Sequence, residues 1–219
     1  MAERLRLRRG GEMTDHTQRK EAESPVSGGR KRLVIGVSGA SGIPLAEAVL
    51  RHVREIPDLE SWLVMTRGAE LTLRQESGLS LNRFQSLADV VLDNSDIGAG
   101  PASGTFETVG MVIVPCSMKT IAGIWSGYSD NLLLRAADVT LKERRPLILA
   151  ARESPLSEIH LRNLYELSRM GAIIVPPMVS FYEKNDSLKA YADRFAARLL
   201  TYFGIHQEQD YHWQGMGEG

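Results

Sequence analysis

From Lys31 onward, short apolar and β-branched runs alternate with stretches whose apolar residues recur at helical spacing. A chain of this kind buries its strands on both faces, and the arrangement that does so is a doubly wound, parallel α/β sheet. Leu33 to Val37, Ser61 to Thr66, Met111 to Cys116, Arg145 to Ala151 and Ala172 to Pro177 read as strands. Leu45 to Arg54, Ala69 to Glu76, a segment opening at Ser117, Ser157 to Met170 and Leu188 to Phe203 read as helices. Asp89 to Gly104 has the Gly, Pro, Ser and Asp content of a long loop, and such loops either cover ligands or merely connect elements.

The first strand runs into a glycine-rich turn, SGASG at Ser38 to Gly42, and then into a helix with Pro44 in its first turn, where the missing N–H costs nothing. The amides of Gly39, Ala40 and Ser41 would stand near a helix N-terminus, where orphan donors and the macrodipole favour an anion, with the Ser41 hydroxyl as an extra ligand. No Lys follows the last glycine, so the P-loop pattern is absent, and the dinucleotide fingerprint is matched only loosely. The turn therefore reads either as a phosphate site or as a plain tight βα connection.

The 219 residues carry a net charge of -1, which gives no electrostatic reason for a nucleic-acid or acidic-membrane partner. The one cysteine, Cys116, has no internal partner, and no apolar run approaches the ~18 residues of a membrane span, so the chain reads as cytoplasmic. Residues 1–30 are polar and charge-rich and read as a disordered tail, 31–206 as one domain, and 207–219 as a second tail.

Hydroxyl residues recur at strand ends: Ser41 after the first, Thr66 after the second, and Ser117 and Thr120, with Met118 and Lys119 between them, after the third. Ligands of open α/β sheets bind outside the carboxyl ends of the strands, so these residues point to one cleft, although Ser and Thr are also ordinary helix caps. Arg152 and Glu153 follow the next strand, where they suit a phosphate and a proton exchange in a partly dry cleft, or a simple surface ion pair. The charge run from Arg135 through Asp138, Lys142 and Glu143 to Arg145 reads, on spacing alone, as solvated helical pairs.

Taken in order, SGASG at Ser38 to Gly42, PCSMKT at Pro115 to Thr120, RAADVTLKERRPL at Arg135 to Leu147, the RESP that follows, GAIIVPP at Gly171 to Pro177 and the FY at Phe181 and Tyr182 resemble the flavin prenyltransferases of the UbiX type. The resemblance spans about Lys31 to Ile205. It implies a Rossmann-like (flavodoxin-like) three-layer sandwich and an enzyme that joins the prenyl group of dimethylallyl monophosphate to N5 of reduced FMN and closes a ring at C6. The product, prenylated FMN, serves partner decarboxylases of the UbiD type. By the same resemblance Gly39, Ala40, Ser41, Thr66, Ser117, Met118, Lys119, Thr120 and Arg152 fall where FMN binds. Tyr182 and Arg198 fall where the prenyl phosphate binds, with Arg135 and Lys142 nearby, and Ser41, Glu76 and Glu153 are the candidate proton-transfer groups. No metal is implied, since cationic side chains take its place at the departing phosphate. The resemblance also implies a homo-oligomer, a dodecamer, with residues such as Glu153 or Arg198 reaching across subunit contacts.

Other readings compete. Flavin-dependent cysteine decarboxylases carry an N-terminal active-site His and a PxMNxxMW segment, and this chain has PCSMKTIAG there instead. A non-catalytic FMN-binding subunit of a decarboxylase complex would not need Glu76, Glu153 or the basic set, all of which are present. Thr66 and Arg67 replace a commoner Ser-Lys pair, Ile97 stands where some members have Trp, and Glu183 where a His often follows the Tyr.

Overall fold

The computed structural model describes residues 29–181 and 186–206. The tails expected at 1–30 and 207–219 lie outside the described residues apart from Gly29 and Arg30, as does Tyr182. Strand β1 (Lys31–Val37) leads into helix α1 (Ile43–Arg54), followed by β2 (Leu59–Met65), α2 (Arg67–Glu76), α3 (Leu81–Gln85) and β3 (Val90–Leu92). The second half runs through β4 (Gly110–Cys116), α4 (Met118–Trp125), α5 (Leu132–Lys142), β5 (Leu147–Ala151), α6 (Glu158–Arg169), β6 (Ile173–Ile174) and α7 (Leu188–Thr201). The strands form one all-parallel sheet in the order β3-β2-β1-β4-β5-β6. This is the expected doubly wound, flavodoxin-like sandwich, with the order reversing between β1 and β4.

The period-two alternation of each strand supplies both faces. Leu33, Ile35 and Val37 of β1 pack with α1, α2, α3 and α7, while Val34 joins Met111 and Ile113 of β4 in the core under α4, α5 and α6. Burying a large aliphatic side chain of this kind contributes about 1.5–3 kcal/mol, so the two cores are the main favourable term in the fold. Among the described residues, no helix is long and apolar enough to cross a membrane.

Three sequence expectations change. Asp89 to Gly104 is not loop throughout: Val90–Leu92 pairs with Trp62 to Val64 of β2 as a short edge strand, and Gly100–Ala102 forms a 3-10 turn. The last strand is only Ile173–Ile174, because it finds a ladder partner on one side alone. Helix α3, with Ser80 as its cap and Phe84 buried, was not anticipated, since five residues are too few to show a periodicity.

The loop after β3 is pinned from α5 outward. Asn94 accepts the Leu132 N–H on its carbonyl (2.8 Å) and the Leu133 N–H on Oδ1 (3.0 Å). Arg145 donates to the Gly104 and Phe106 carbonyls, both at 2.7 Å, and the Phe106 ring lies where a Cβ on Gly100 would sit. At the other end of the sheet, Arg30 ties the chain entry to Asp89 and to the carbonyls of Pro57 and Leu59.

Candidate active site

At the carboxyl edge of the sheet the strand ends are stitched to one another beyond the regular ladder. Thr66 N–H donates to Val37 O (3.0 Å), Ser38 N–H to Pro115 O (3.1 Å) and Arg152 N–H to Cys116 O (3.1 Å). The turns that follow β1, β2 and β4 therefore share one rim, as the repetition of hydroxyls at strand ends predicted. A cleft of about 560 Å³ opens there. That is within the ordinary range for small-molecule sites.

Gly39, Thr66, Ser117, Lys119 and Thr120 line this cleft, as expected. The two helices that begin on it are capped by their own hydroxyls: Thr66 accepts from the Ala69 N–H (3.2 Å), and Ser117 from the Thr120 N–H (3.3 Å). The cap reading holds for Thr66 and Ser117, and the same two residues line the cleft. Met118 sends its side chain into the core and leaves only its backbone to the rim. Arg67 opens α2 and Lys119 is the second residue of α4, both exposed on the cleft, and among the described residues neither meets a carboxylate. A cation in the first turn of a helix opposes the macrodipole, and an anion bound between the two helix starts removes that conflict. Leu133, Leu134 and Gly123 supply the apolar side of the cleft; a Cβ on Gly123 would stand 2.9 Å from Leu134 Cδ2, so glycine is what lets α5 close on α4.

The turn after β1 also receives a carboxylate of the chain itself. The Gly42 and Ile43 N–H groups at the start of α1 donate to Glu76 Oε2, at 2.8 and 2.9 Å, and the Ala40 N–H donates to Ser38 O (2.8 Å). The α1 terminus already holds an anion, the chain's own carboxylate from the end of α2. Burial works to raise the pKa of Glu76, but the Ser41 hydroxyl, the two amides and the positive charge of Arg152 together hold it below the ordinary carboxylate value. Ser41, Glu76 and Arg152 are thereby one cluster, beside the cleft. Arg152 and Glu153 are exposed, so the partly dry cleft expected around Glu153 is not formed within one chain, and Glu153 Oε1 accepts the Ser154 N–H (3.0 Å).

The remaining expected ligands stand apart in the single chain. Arg135 pairs with Asp138 (2.7 Å) and donates to Ala102 O (3.2 Å). Lys142 pairs with Glu143 at the far end of α5. Arg198 is exposed in the last turn of α7, a helix followed by Phe203, which packs over Gly110 at the start of β4. Among the described residues no group of three or more His, Cys, Asp or Glu side chains is placed to hold a metal ion.

Sequence reasoning passed over Gly68, Asn94, Ser126, Tyr128, Asp130 and Asn131, which also line the cleft. A signal existed: SGYSDN, a polar stretch directly between two apolar helices, ends in the cap residue Asn131, whose Oδ1 accepts the Leu134 N–H (3.0 Å).

The Flavoprotein family model matches residues 21–196. A probable UbiX-like flavin prenyltransferase from a Streptomyces species is 49% identical over 185 residues, covering 84% of this chain and 92% of that protein. The crystal structure of AnUbiX in complex with FMN and dimethylallyl pyrophosphate superposes with a TM-score of 0.83 at 44% identity, covering 86% of this chain and 100% of that one. A dodecameric FMN-dependent UbiX-like decarboxylase from Escherichia coli superposes with a TM-score of 0.82 at 45% identity, covering 84% and 100%. With its ordered motifs, its switch-point cleft and relatives this similar over nearly their whole length, the chain belongs to the Flavoprotein family and, within it, to the UbiX-like flavin prenyltransferases.

Proposed function

We propose that the chain acts as a flavin prenyltransferase on reduced FMN, with the cleft between the starts of α2 and α4 as the flavin site. One observation carries this assignment: two helix N-termini, each bearing a cation, Arg67 and Lys119, that meets no carboxylate among the described residues, converge on a cleft whose other side is apolar. That lining suits a phosphate joined to a flat, largely apolar ring system, and Gly39, Thr66, Ser117 and Thr120 hold the phosphate end together with the two cations. Bound reduced FMN supplies the electron-rich N5 and C6 that accept the prenyl carbon atoms.

The chain's own groups handle charge and protons. Glu76, ionised and aligned by the α1 amides, holds the Ser41 hydroxyl as a donor, so a proton lost from the reacting centre passes through Ser41 toward the carboxylate. Arg152 offsets the negative charge beside them. Departure of the donor phosphate leaves an anion that Arg135, Lys142, Tyr182 and Arg198 stabilise, and Glu153 is the second carboxylate at the centre. Since Arg135, Lys142 and Arg198 lie away from the cleft of their own chain, we place this set at contacts between copies, in a dodecamer like that of the Escherichia coli relative. The product goes to a decarboxylase of the UbiD type.

Anaerobic incubation with FMN, a reductant and dimethylallyl monophosphate, and in parallel the diphosphate, followed by mass spectrometry of the released flavin, tests the assignment. A gain of one prenyl unit that disappears in Arg198→Ala supports it. FMN that binds and returns unmodified with both donors overturns it in favour of a flavin-binding subunit.

A further inference from the structure

We infer that Ser38 is a positioning residue for the flavin site, one that fixes the spacing between the β1 turn and the start of α4 without touching the ligand; the inference rests on the flavin assignment above. Ser38 is 1% exposed and does not line the cleft, yet its neighbours on both sides of the rim do. Its hydroxyl donates to Pro115 O (3.1 Å) and accepts the Ser117 N–H (2.8 Å), while its own N–H donates to the same Pro115 carbonyl (3.1 Å). The regular β1–β4 ladder stops at Gly36 and Ile113, so these three bonds tie the extensions of the two strands together past that point.

The next residue closes the other side. A Cβ on Gly39 would stand 2.9 Å from Gly68 Cα and 3.0 Å from its carbonyl carbon, so the β1 turn lies backbone to backbone against the first turn of α2. Gly39, Arg67, Gly68, Ser117 and Lys119 all face the cleft, and the β1 turn is the spacer between them. Ser38 clamps that spacer to α4, and Gly39 packs it against α2. A hydroxyl is the side chain that both donates and accepts in so small a buried volume. Without it the Ser117 amide, at the cap of α4, is left without its partner, and the α4 start moves relative to Arg67.

The test is FMN titration of Ser38→Ala and Ser38→Thr beside the unaltered protein, with kcat and KM measured for FMN. Ser38→Ala is expected to raise the FMN Kd and KM about tenfold with kcat at saturation within about twofold, and Ser38→Thr, which keeps the hydroxyl, to recover most of the affinity. An Ala variant that melts earlier but binds FMN as tightly as the unaltered protein overturns the inference, because a merely structural role moves stability alone. Should Ser38→Ala fail to fold, hydrogen exchange on the unaltered protein decides: the Ser117 amide is expected to be protected before FMN is added, and fast exchange that slows only with FMN overturns the clamp. Unaltered protein that binds no FMN overturns the flavin assignment itself, an outcome separate from these.

Discussion

Glu76 stands at the last residue of α2, yet its carboxylate accepts the Gly42 N–H at 2.8 Å and so caps α1, a helix whose own cap position has no side chain to offer. Gly42 sits at φ 127°, a conformation that glycine adopts freely, and the turn it makes aims two consecutive amides at one carboxylate oxygen. The bond joins the first two helices of the fold at the edge of the cleft, and it delivers an ionised carboxylate to Ser41.

Removing that charge is expected to weaken both stability and chemistry. Glu76→Ala should cost about 1–2 kcal/mol, the cost of losing a helix cap, and Glu76→Gln less, with turnover falling in both. The pKa of Glu76 is depressed on folding, so its contribution is present above the ordinary value of 4.5 and is lost as pH falls through the lower folded value. Thermal melts from pH 7 downward should therefore show the unaltered protein losing its advantage over Glu76→Gln in that acidic range; a constant gap across pH would contradict the assignment.

The anion reading of the cleft separates phosphate from ring. Arg67→Ala and Lys119→Ala should each weaken FMN binding about tenfold while changing riboflavin binding little, since only FMN carries the phosphate. Isothermal titration with the two flavins gives the comparison, and raising the salt concentration should narrow the difference.

Two glycines on the cleft should respond differently to a methyl group. At Gly39 the added Cβ meets the Gly68 backbone at 2.9 Å, which cannot turn aside, whereas at Gly123 it meets the end of the Leu134 side chain at the same distance. Gly39→Ala is expected to lower both melting temperature and FMN affinity. Gly123→Ala should leave melting almost unchanged, because about 1 kcal/mol of helix propensity offsets the crowding, but should shrink the cleft and weaken flavin binding. Differential scanning fluorimetry with and without FMN distinguishes them.

The chain entry is held by one arginine. Asp89 accepts from the Ser61 N–H (2.8 Å), the Ser61 hydroxyl (2.7 Å) and Arg30 (2.8 Å). Burial raises its pKa, and these donors more than reverse that, leaving it below the usual carboxylate value. A protein beginning at Lys31 should be about 1 kcal/mol less stable than one beginning at Gly29, and Asp89→Ala should cost about 1–3 kcal/mol by leaving the Ser61 N–H and hydroxyl proton without an acceptor. Chemical denaturation of the three proteins measures this.

Cys116 closes β4 at the rim but is fully buried, and burial pushes its thiol pKa far up. It is expected to resist iodoacetamide in the native protein at pH 8 and to react fully in denaturant. Rapid native labelling, read by intact mass, would show that the rim opens.

Much of the architecture was legible in residue order because its causes are local. The apolar run of Leu33 to Val37, an apolar stripe through α1 and hydroxyls at Thr66 and Ser117 act over a few residues, so a reader of the sequence meets cause and effect together. Motif order did the same for the family, and hence for the flavin and the reaction.

What tertiary structure decided were the partnerships between groups distant in the chain. Glu76 reaches Gly42 across 34 residues, Ser38 reaches Ser117 across 79, and Asn94 caps a helix that begins 38 positions later; no periodicity encodes such pairs, because they form only when two βα units pack side by side. The same packing seats an internal carboxylate on the amides of Gly42 and Ile43, directly after the Gly39 to Ser41 turn, and pairs Lys142 with Glu143 at the end of α5. Local pattern sets which elements form and which way they face, whereas the direction of a charged group depends on the element laid against it, and that is settled by burial in three dimensions.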